Sequence, residues 1–154
     1  MTITIEERSA GSGAICRDIL ATIGDWFGLP ASNAAYENLA ETGPAVVALD
    51  AGMPVGLMML KRHFDTALEI YFIGVMRDRH RQGVGRALMD HAETAARAEG
   101  RRFLTVKTQG PSAGYEPYER TRRFYQALGY APLEEFTEIW DAQNPALLMV
   151  KAVG

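Results

Sequence analysis

Apolar and polar residues change their spacing several times along the 154-residue chain, and each spacing is typical of one kind of element. Strict alternation, as in residues 2–7, is typical of a strand with one buried face. Apolar residues three and four positions apart, such as Ile15, Ile19 and Ile23, are typical of an amphipathic helix. The chain therefore reads β-α-α-β-β-β-α-β-α-β-β. We expect strands at 2–7, 45–49, 55–61, 68–75, 103–106, 131–140 and 146–153, and helices at 15–23, 33–42, 85–99 and 118–128.

Turn residues set the boundaries of these elements. Ser32 or Asn33 is expected to cap the second helix. Short turns at 52–54 and 64–66 join three strands into an antiparallel meander. No repeat, low-complexity tract or linker interrupts the sequence, so residues 1–154 are expected to form a single domain. The predicted fold class is α/β, with a mixed, mostly antiparallel sheet flanked by helices on both faces.

Composition and charge limit the classes of function that the chain can have. The chain is 47% hydrophobic and 23% charged, which excludes a largely disordered protein. A formal net charge of -3 argues against nucleic-acid binding, which needs an extended basic face. Several arginines nevertheless crowd one short segment, a pattern that indicates a small anionic ligand. They are Arg77, Arg79, Arg81 and Arg86.

The N-terminal sequence lacks a signal peptide, and no apolar stretch is long enough to span a membrane, so we expect a cytoplasmic protein without a membrane partner. The lone Cys16 excludes an intramolecular disulfide. Because it sits among apolar neighbours, Cys16 is interpreted as a core residue and not as a nucleophile. The histidines His63, His80 and His91 lack metal-ligand spacing, so no metal site is expected.

The segment Val75 to Leu88 runs from a strand through a basic glycine loop into the clearest helix of the chain. A helix N-terminus offers unpaired N–H groups and partial positive charge, and glycines let a phosphate approach the backbone. The loop lacks the Gly-Lys-Ser/Thr of a Walker A motif, and its place after an antiparallel meander fits a dinucleotide fingerprint badly. The alternative is that Gly83 and Gly85 only make a tight turn.

The loop His80-Arg81-Gln82-Gly83-Val84-Gly85 resembles the Arg/Gln-x-x-Gly-x-Gly/Ala signature of the GCN5-related N-acetyltransferase (GNAT) superfamily, with His80 departing from the usual Arg or Gln. A second similarity is the helix end Arg123-Phe124-Tyr125-Gln126-Ala127-Leu128-Gly129-Tyr130. The element order is also that of the family, so the resemblance spans nearly the whole chain. It implies acetyl-CoA as cosubstrate and a sheet whose central strands splay apart to receive pantetheine.

The resemblance also implies roles for individual residues. The Val75 backbone would hold the thioester carbonyl. The pyrophosphate would lie on the residues of the loop, namely Arg81, Gln82, Gly83, Val84, Gly85 and Arg86. Tyr125 would protonate the departing thiolate. The alternative is that Tyr125 is a core aromatic of an amphipathic helix.

Glu69 interrupts an apolar strand six residues before Val75, an offset at which some family members carry a catalytic glutamate. It is the candidate general base, directly or through water. A carboxylate in an apolar strand is expected to have a raised pKa, which suits a base. The alternative is a glutamate at the strand edge that faces solvent.

The amine acceptor would lie between the first two helices, where family members build their acceptor pocket. Its apolar lining would be Trp26, Phe27, Leu29 and Tyr36, with Asp25 or Glu37 available for a cationic amine. The alternative is that Trp26 and Phe27 are ordinary core residues.

Together these features predict an N-acetyltransferase that moves the acetyl group of acetyl-CoA to a primary amine by direct transfer in a ternary complex. Two alternatives remain: a non-catalytic CoA-binding sensor of the same fold, and a protein that uses the loop for ATP or NAD. The acceptor is a small-molecule or peptide amine that the sequence does not specify. A homodimer through the C-terminal strands also remains open.

Overall fold

The computed structural model describes residues 2–154. Its elements follow the predicted order, with two short 3-10 turns added. The strands are β1 (Ile3–Arg8), β2 (Ala45–Asp50), β3 (Met53–Arg62), β4 (Ala67–Val75), β5 (Phe103–Gln109), β6 (Ala131–Asp141) and β7 (Asn144–Ala152). The helices are α1 (Gly13–Thr22), α2 (Pro30–Thr42), α3 (Val84–Ala98) and α4 (Glu116–Ala127). No helix among these residues is both long and apolar enough to cross a membrane.

The start of α2 differs from the prediction. The helix begins at Pro30, with Leu29 at the N-cap position, so the predicted caps Ser32 and Asn33 are wrong. Proline suits the first helical turn because the N–H that it lacks would have no partner there. Asn33 instead donates a side-chain hydrogen bond to the carbonyl of Phe27, at 2.9 Å, and thereby ties the helix to the preceding loop.

Contacts divide the chain into two compact units. The first runs to Lys61 and resumes from Ile70 to Ala95. Its strands lie in the order β1-β2-β3-β4, and the β1–β2 and β2–β3 pairs are antiparallel. Ala51 and Gly52, both at positive φ, make the two-residue turn between β2 and β3, slightly ahead of the predicted turn.

Helices cover both faces of this first sheet segment. Alternate residues of β2 and β3, among them Val47 and Leu57, join α1 and α2 in one buried cluster. The neighbouring residue Gly56 points the opposite way, where a Cβ would lie 3.0 Å from Val84 and 3.2 Å from Leu88 of α3. Since adjacent strand residues face opposite sides of a sheet, α3 packs on the other face. The glycine is needed because α3 approaches the strand so closely.

The second unit comprises Arg62–Glu69 and Ala96–Gly154. In it the start of β4 lies beside β5, followed by β7 and β6. The N–H groups of Arg102 and Phe103 both donate to the Thr66 carbonyl, at 2.8 and 3.2 Å, and so place the beginnings of β4 and β5 together. The β5–β7 and β6–β7 pairs are antiparallel. Neighbouring strands joined through a helix, like β4 and β5, are typically parallel, so the sheet is mixed as predicted.

Candidate active site

The loop between β4 and α3 is held in a defined shape by its own backbone. The Met76 N–H donates to the Val55 carbonyl at 2.9 Å, which ties the start of the loop to β3. A short 3-10 turn follows at Arg77–Arg79. Arg81 and Gly83 then adopt positive φ, 63° and 86°. The Ala87 N–H closes the first turn of α3 on the Gly83 carbonyl at 3.0 Å. The amides before Ala87 therefore stand at a helix N-terminus, where intrahelical acceptors are lacking.

This loop is open to solvent. Arg81, Gln82, Gly83 and Arg86 are exposed. An ideal Cβ on Gly83 would meet no atom within 4 Å, so the backbone can be approached from outside. Val84 is the exception, because its side chain is buried at 1% exposure and anchors the helix to the sheet. A ligand can therefore contact Val84 only through its backbone amide, and not through its side chain.

The arginines between residues 77 and 86 differ in whether other groups of the chain already bind them. Arg77 donates to the Thr22 carbonyl at 2.8 Å and to Asp25 at 2.7 Å, and Arg79 lies 3.6 Å from Asp50. Across residues 2–154 no carboxylate lies within ion-pair distance of Arg81 or Arg86. The positive charge available to an anion therefore lies at the helix start itself.

His80 connects this loop to the end of β4. Its Nε2 lies 2.8 Å from the Val75 carbonyl oxygen. A carbonyl oxygen can only accept, so Nε2 carries the proton and donates it. The Trp26 ring packs edge-on against the imidazole, with 5.4 Å between centroids. His80, the one departure from the family signature, thus has a bonded position in the loop.

Glu69 is buried, with 6% of the residue exposed, so the alternative of a solvent-facing glutamate is wrong. Its Oε1 lies 2.6 Å from His63 Nε2, and its Oε2 accepts from Lys107 Nζ at 2.9 Å. Burial alone raises the pKa of Glu69, but the hydrogen bonds and charges of His63 and Lys107 outweigh it and hold the pKa below its usual value. The expected raised pKa is therefore wrong.

Tyr125 lies in the core of the second unit with 4% exposure. Its ring packs against Phe124 and Tyr130, with centroid separations of 5.5 and 5.9 Å. Burial, followed by the charges of Tyr130 and Tyr118, raises the pKa of the Tyr125 phenol well above its ordinary value. The hydroxyl therefore keeps its proton at neutral pH.

The aromatic residues predicted to line the acceptor pocket form a cluster in the first unit. Phe27 and Tyr36 pack against each other and against Phe72, with centroids 4.9 to 5.8 Å apart. Three of these side chains pack against the core of α1 and α2 and are only half-buried, so each also keeps an edge toward solvent: Trp26, Phe27 and Tyr36. Asp25 is already paired with Arg77, so it is not a free anion for a cationic amine.

The profile of the acetyltransferase (GNAT) domain family matches residues 41–132, well over half of the chain. The chain belongs to the GNAT family of acetyltransferases. The matched segment contains β4, the whole glycine loop, α3 and α4. By this membership the chain is classed as an acetyl-CoA-dependent N-acetyltransferase. No curated protein matches it in sequence.

Solved structures with the GNAT fold match this chain over almost its full length. A protein assigned to the GNAT family from Desulfovibrio desulfuricans shares 19% identity at a TM-score of 0.85, covering 99% of this chain and 100% of its own. The ribosomal-protein-S18-alanine N-acetyltransferase of Escherichia coli shares 16%, with a TM-score of 0.79 and 99% and 95% coverage. A GNAT acetyltransferase from Elizabethkingia anophelis, solved with acetyl-CoA bound, shares 20%, with a TM-score of 0.72 and 97% coverage of both chains. At these identities the likeness shows the fold.

Sequence reasoning missed the two partners of Glu69 in this GNAT chain. His63 stands six positions before Glu69, across the turn that was predicted at 64–66, and this spacing was a usable signal. Lys107 is 38 positions away on a strand predicted to end at Val106, so no local pattern pointed to it. Among residues 2–154 no group of three histidine, cysteine or acidic side chains is arranged to hold a metal ion.

Proposed function

We propose that the chain transfers the acetyl group of acetyl-CoA to a primary amine directly, within a ternary complex. The observation that carries this proposal is the open loop at the start of α3. Its left-handed Gly83, its solvent-facing backbone and two unengaged arginines together suit a diphosphate. The GNAT neighbour from Elizabethkingia anophelis binds acetyl-CoA, which supports the same cosubstrate here.

In this proposal the amides of residues 81–86 hold the pyrophosphate, and Arg81 and Arg86 add charge. The Val75 backbone holds the thioester carbonyl. A thioester carbonyl oxygen can only accept, so the group of Val75 that would hold it is the backbone N–H. Polarising the thioester carbonyl by an amide donor stabilises the oxyanion that forms as the amine attacks.

The chemistry needs a deprotonated amine and a proton for the leaving thiolate. We assign the second task to Tyr125, whose buried phenol retains its proton at neutral pH. Glu69 is the candidate general base that would deprotonate the amine. Its carboxylate is held in place by His63 and Lys107. No covalent acetyl-enzyme is needed, because the only cysteine is buried and its pKa is raised to about 11 by burial and the charge of Glu37.

For the acceptor we propose a small-molecule or peptide amine whose apolar part packs on Trp26, Phe27 and Tyr36. The solved neighbours include both an aminoglycoside 6'-N-acetyltransferase and an enzyme that acts on the alanine of a ribosomal protein. Asp25 is engaged by Arg77, whereas within residues 2–154 Glu37 is in no ion pair and is left for a cationic amine. The cluster therefore suits an amine that carries one positive charge on an apolar body.

The test is release of free thiol from saturating acetyl-CoA in the presence of phenethylamine, lysine, an alanine-initiated peptide or kanamycin, with the acetylated amine identified by mass spectrometry. We expect turnover with at least one amine, and a loss of about 100-fold in kcat for Tyr125→Phe. Tyr130→Phe, an equally buried neighbour, is the matched control. Tight acetyl-CoA binding without thiol release from any amine would instead support the non-catalytic sensor.

A further inference from the structure

Five ring side chains of the first unit lie next to one another and form what we call the aromatic row: His80, Trp26, Phe27, Tyr36 and Tyr71. The row begins at the end of β4, where His80 donates to the Val75 carbonyl and packs against Trp26. Phe27, the next residue along the chain, contacts Tyr36 of α2 with 5.8 Å between ring centroids. The row therefore leads from the residue proposed to hold the thioester to the second helix.

The other end of the aromatic row reaches the surface and meets a lysine. Tyr71 lies edge-on to Tyr36, with 5.8 Å between centroids, and is 37% exposed. The Nζ atom of Lys61 stands 3.6 Å from the centroid of the Tyr71 ring, well within the distance of a cation–π contact. One end of the row is thus a fixed positive charge.

The pleat of β3 places Lys61 on the face of the sheet that α1 and α2 cover. Leu57 and Met59 belong to the buried cluster beneath these helices. Residues two apart on a strand share a face, so Lys61 is the next side chain of β3 on this side. It is half-buried, and so it stands at the rim of the cluster, where the aromatic row opens to solvent.

The charge of Lys61 is not neutralised. Within residues 2–154 no carboxylate lies at ion-pair distance from its ammonium, whereas Lys107 binds Glu69 at 2.9 Å. The neutral Tyr71 ring holds the ammonium in place but leaves its charge uncompensated. A carboxylate accepts hydrogen bonds from such a cation, and the bonds are strong because both groups are charged. A half-buried cation without a counter-ion beside a proposed binding surface therefore indicates an anionic group on the ligand.

We propose that Lys61 determines the specificity for the acceptor by binding a carboxylate at the end remote from the reacting amine. The inference rests on the proposed acetyl transfer, which puts the thioester at Val75. The apolar body of the acceptor lies along the aromatic row, with its amine at the Val75 end and its carboxylate at the Lys61 end.

The geometry of β4 sets the distance between the two ends of the acceptor. Tyr71 and Val75 are four residues apart on this strand, which corresponds to about 13 Å. An extended peptide advances about 3.3 to 3.6 Å per residue, so about four residues span the same distance. The acceptor class is therefore an apolar peptide that is acetylated at its N-terminal amine and carries a carboxylate at about its fourth residue.

The test compares two acceptors, the tetrapeptide Ala-Phe-Leu-Ala with a free terminal carboxylate and the same peptide as its C-terminal amide. With the parent enzyme we expect kcat/KM to be about fivefold higher for the acid than for the amide, the factor that one well-placed ion pair near the surface can give. Lys61→Met keeps an unbranched side chain but removes the charge, so the two peptides should become equal within about twofold. Lys61→Arg should restore the preference, since a guanidinium also stacks on aromatic rings and binds carboxylates.

Arg17→Gln is the matched control, because it removes one positive charge from an exposed position of α1 in the same unit. It should retain the preference for the acid. The dipeptide Ala-Phe and its amide are too short to reach from Val75 to Lys61, so the parent should not distinguish them. Thermal denaturation verifies that each variant is folded.

A second pair of peptides shows which carboxylate is recognised. Ala-Phe-Leu-Glu amide carries its carboxylate on a side chain, and Ala-Phe-Leu-Gln amide is its neutral counterpart. A preference for the glutamate peptide that Lys61→Met removes assigns the site to an acidic residue within a longer chain. A preference confined to the free acid of Ala-Phe-Leu-Ala assigns it to the C-terminus of a short peptide.

Equal kcat/KM for the charged and the neutral peptides with the parent enzyme, or a preference that persists in Lys61→Met, overturns the inference while acetyl transfer stands. The same holds if the parent acetylates phenethylamine but none of the peptides. If the parent releases no thiol with any amine, the proposed function fails, and the inference falls with it.

Discussion

The imidazole Nε2 of His80 donates to the carbonyl oxygen of Val75 across 2.8 Å. The two residues are the first position of the glycine loop and the last residue of β4. This bond joins the element proposed to hold the thioester to the loop proposed to hold the diphosphate. Arginine and glutamine, the usual residues at this position of the family signature, likewise carry an N–H that a carbonyl can accept.

Replacing His80 with alanine should loosen the loop without touching the reacting atoms. Loss of one such hydrogen bond costs about 1 kcal/mol, which corresponds to roughly a fivefold rise in the KM for acetyl-CoA. We expect kcat to change little. His80→Gln keeps an N–H donor and should restore most of the affinity. Steady-state kinetics with varied acetyl-CoA measures both; an unchanged KM in His80→Ala would show that the bond does not order the binding loop.

Arg81 and Arg86 are expected to contribute charge to binding because neither is neutralised within the described chain. Arg81→Gln and Arg86→Gln should each weaken acetyl-CoA binding by about 1 kcal/mol, and the double variant should show a flatter dependence on salt. Arg123→Gln is the control, since Arg123 is exposed and paired with Glu119 at 2.6 Å. Equal affinities in all three single variants and the parent would remove the arginines from the site.

Cys16 is predicted to be dispensable for catalysis. Its pKa is raised to about 11, so the thiol is protonated and unreactive at neutral pH, and the side chain has no exposed surface. Cys16→Ala should retain kcat and lower the free energy of unfolding by about 1 kcal/mol through lost packing. Activity and chemical denaturation are measured together. Inactivation by this change, with the fold intact, would point to an acetyl-cysteine intermediate.

Glu99 should make stability depend on acidic pH. Its hydrogen bonds from Arg62, and then from Arg101, lower its pKa from 4.5 to about 2, although partial burial opposes the shift. A carboxyl with a lowered folded-state pKa stabilises the protein above its unfolded pKa, and that contribution is lost as pH falls from about 4.5 toward 2. We expect the loss to be about 1 kcal/mol because the pair is partly exposed.

Denaturant unfolding at pH values across this window measures the effect. Glu99→Gln should remove the Glu99 contribution, so its unfolding free energy should fall less than that of the parent. Parallel curves for the two proteins would show that the Arg62–Glu99–Arg101 cluster adds no stability.

The sequence patterns predicted the order of the helices and strands and the class of the fold, because each long element carries its own periodicity. Element boundaries were predicted less accurately where several residues could begin a helix. Pro30 begins α2 ahead of the predicted caps Ser32 and Asn33. The glycine loop was predictable since its residues are contiguous. The state of Glu69 was not, because its pKa depends on His63 and Lys107, which only the sheet brings to it. The single domain and the splayed strands stay predictions.

The central claim is that the backbone at the start of α3 binds the diphosphate of acetyl-CoA, and isothermal calorimetry tests it most directly. Gly83→Ala adds a Cβ to this open backbone at a φ of +86°, and Gly52→Ala adds one at a φ of +84° in the turn between β2 and β3, where the surroundings are equally open. We predict saturable heat from one site in the parent and in Gly52→Ala, and at least about tenfold weaker binding in Gly83→Ala. No saturable heat with the parent, or equal affinity in the two variants, would contradict the account.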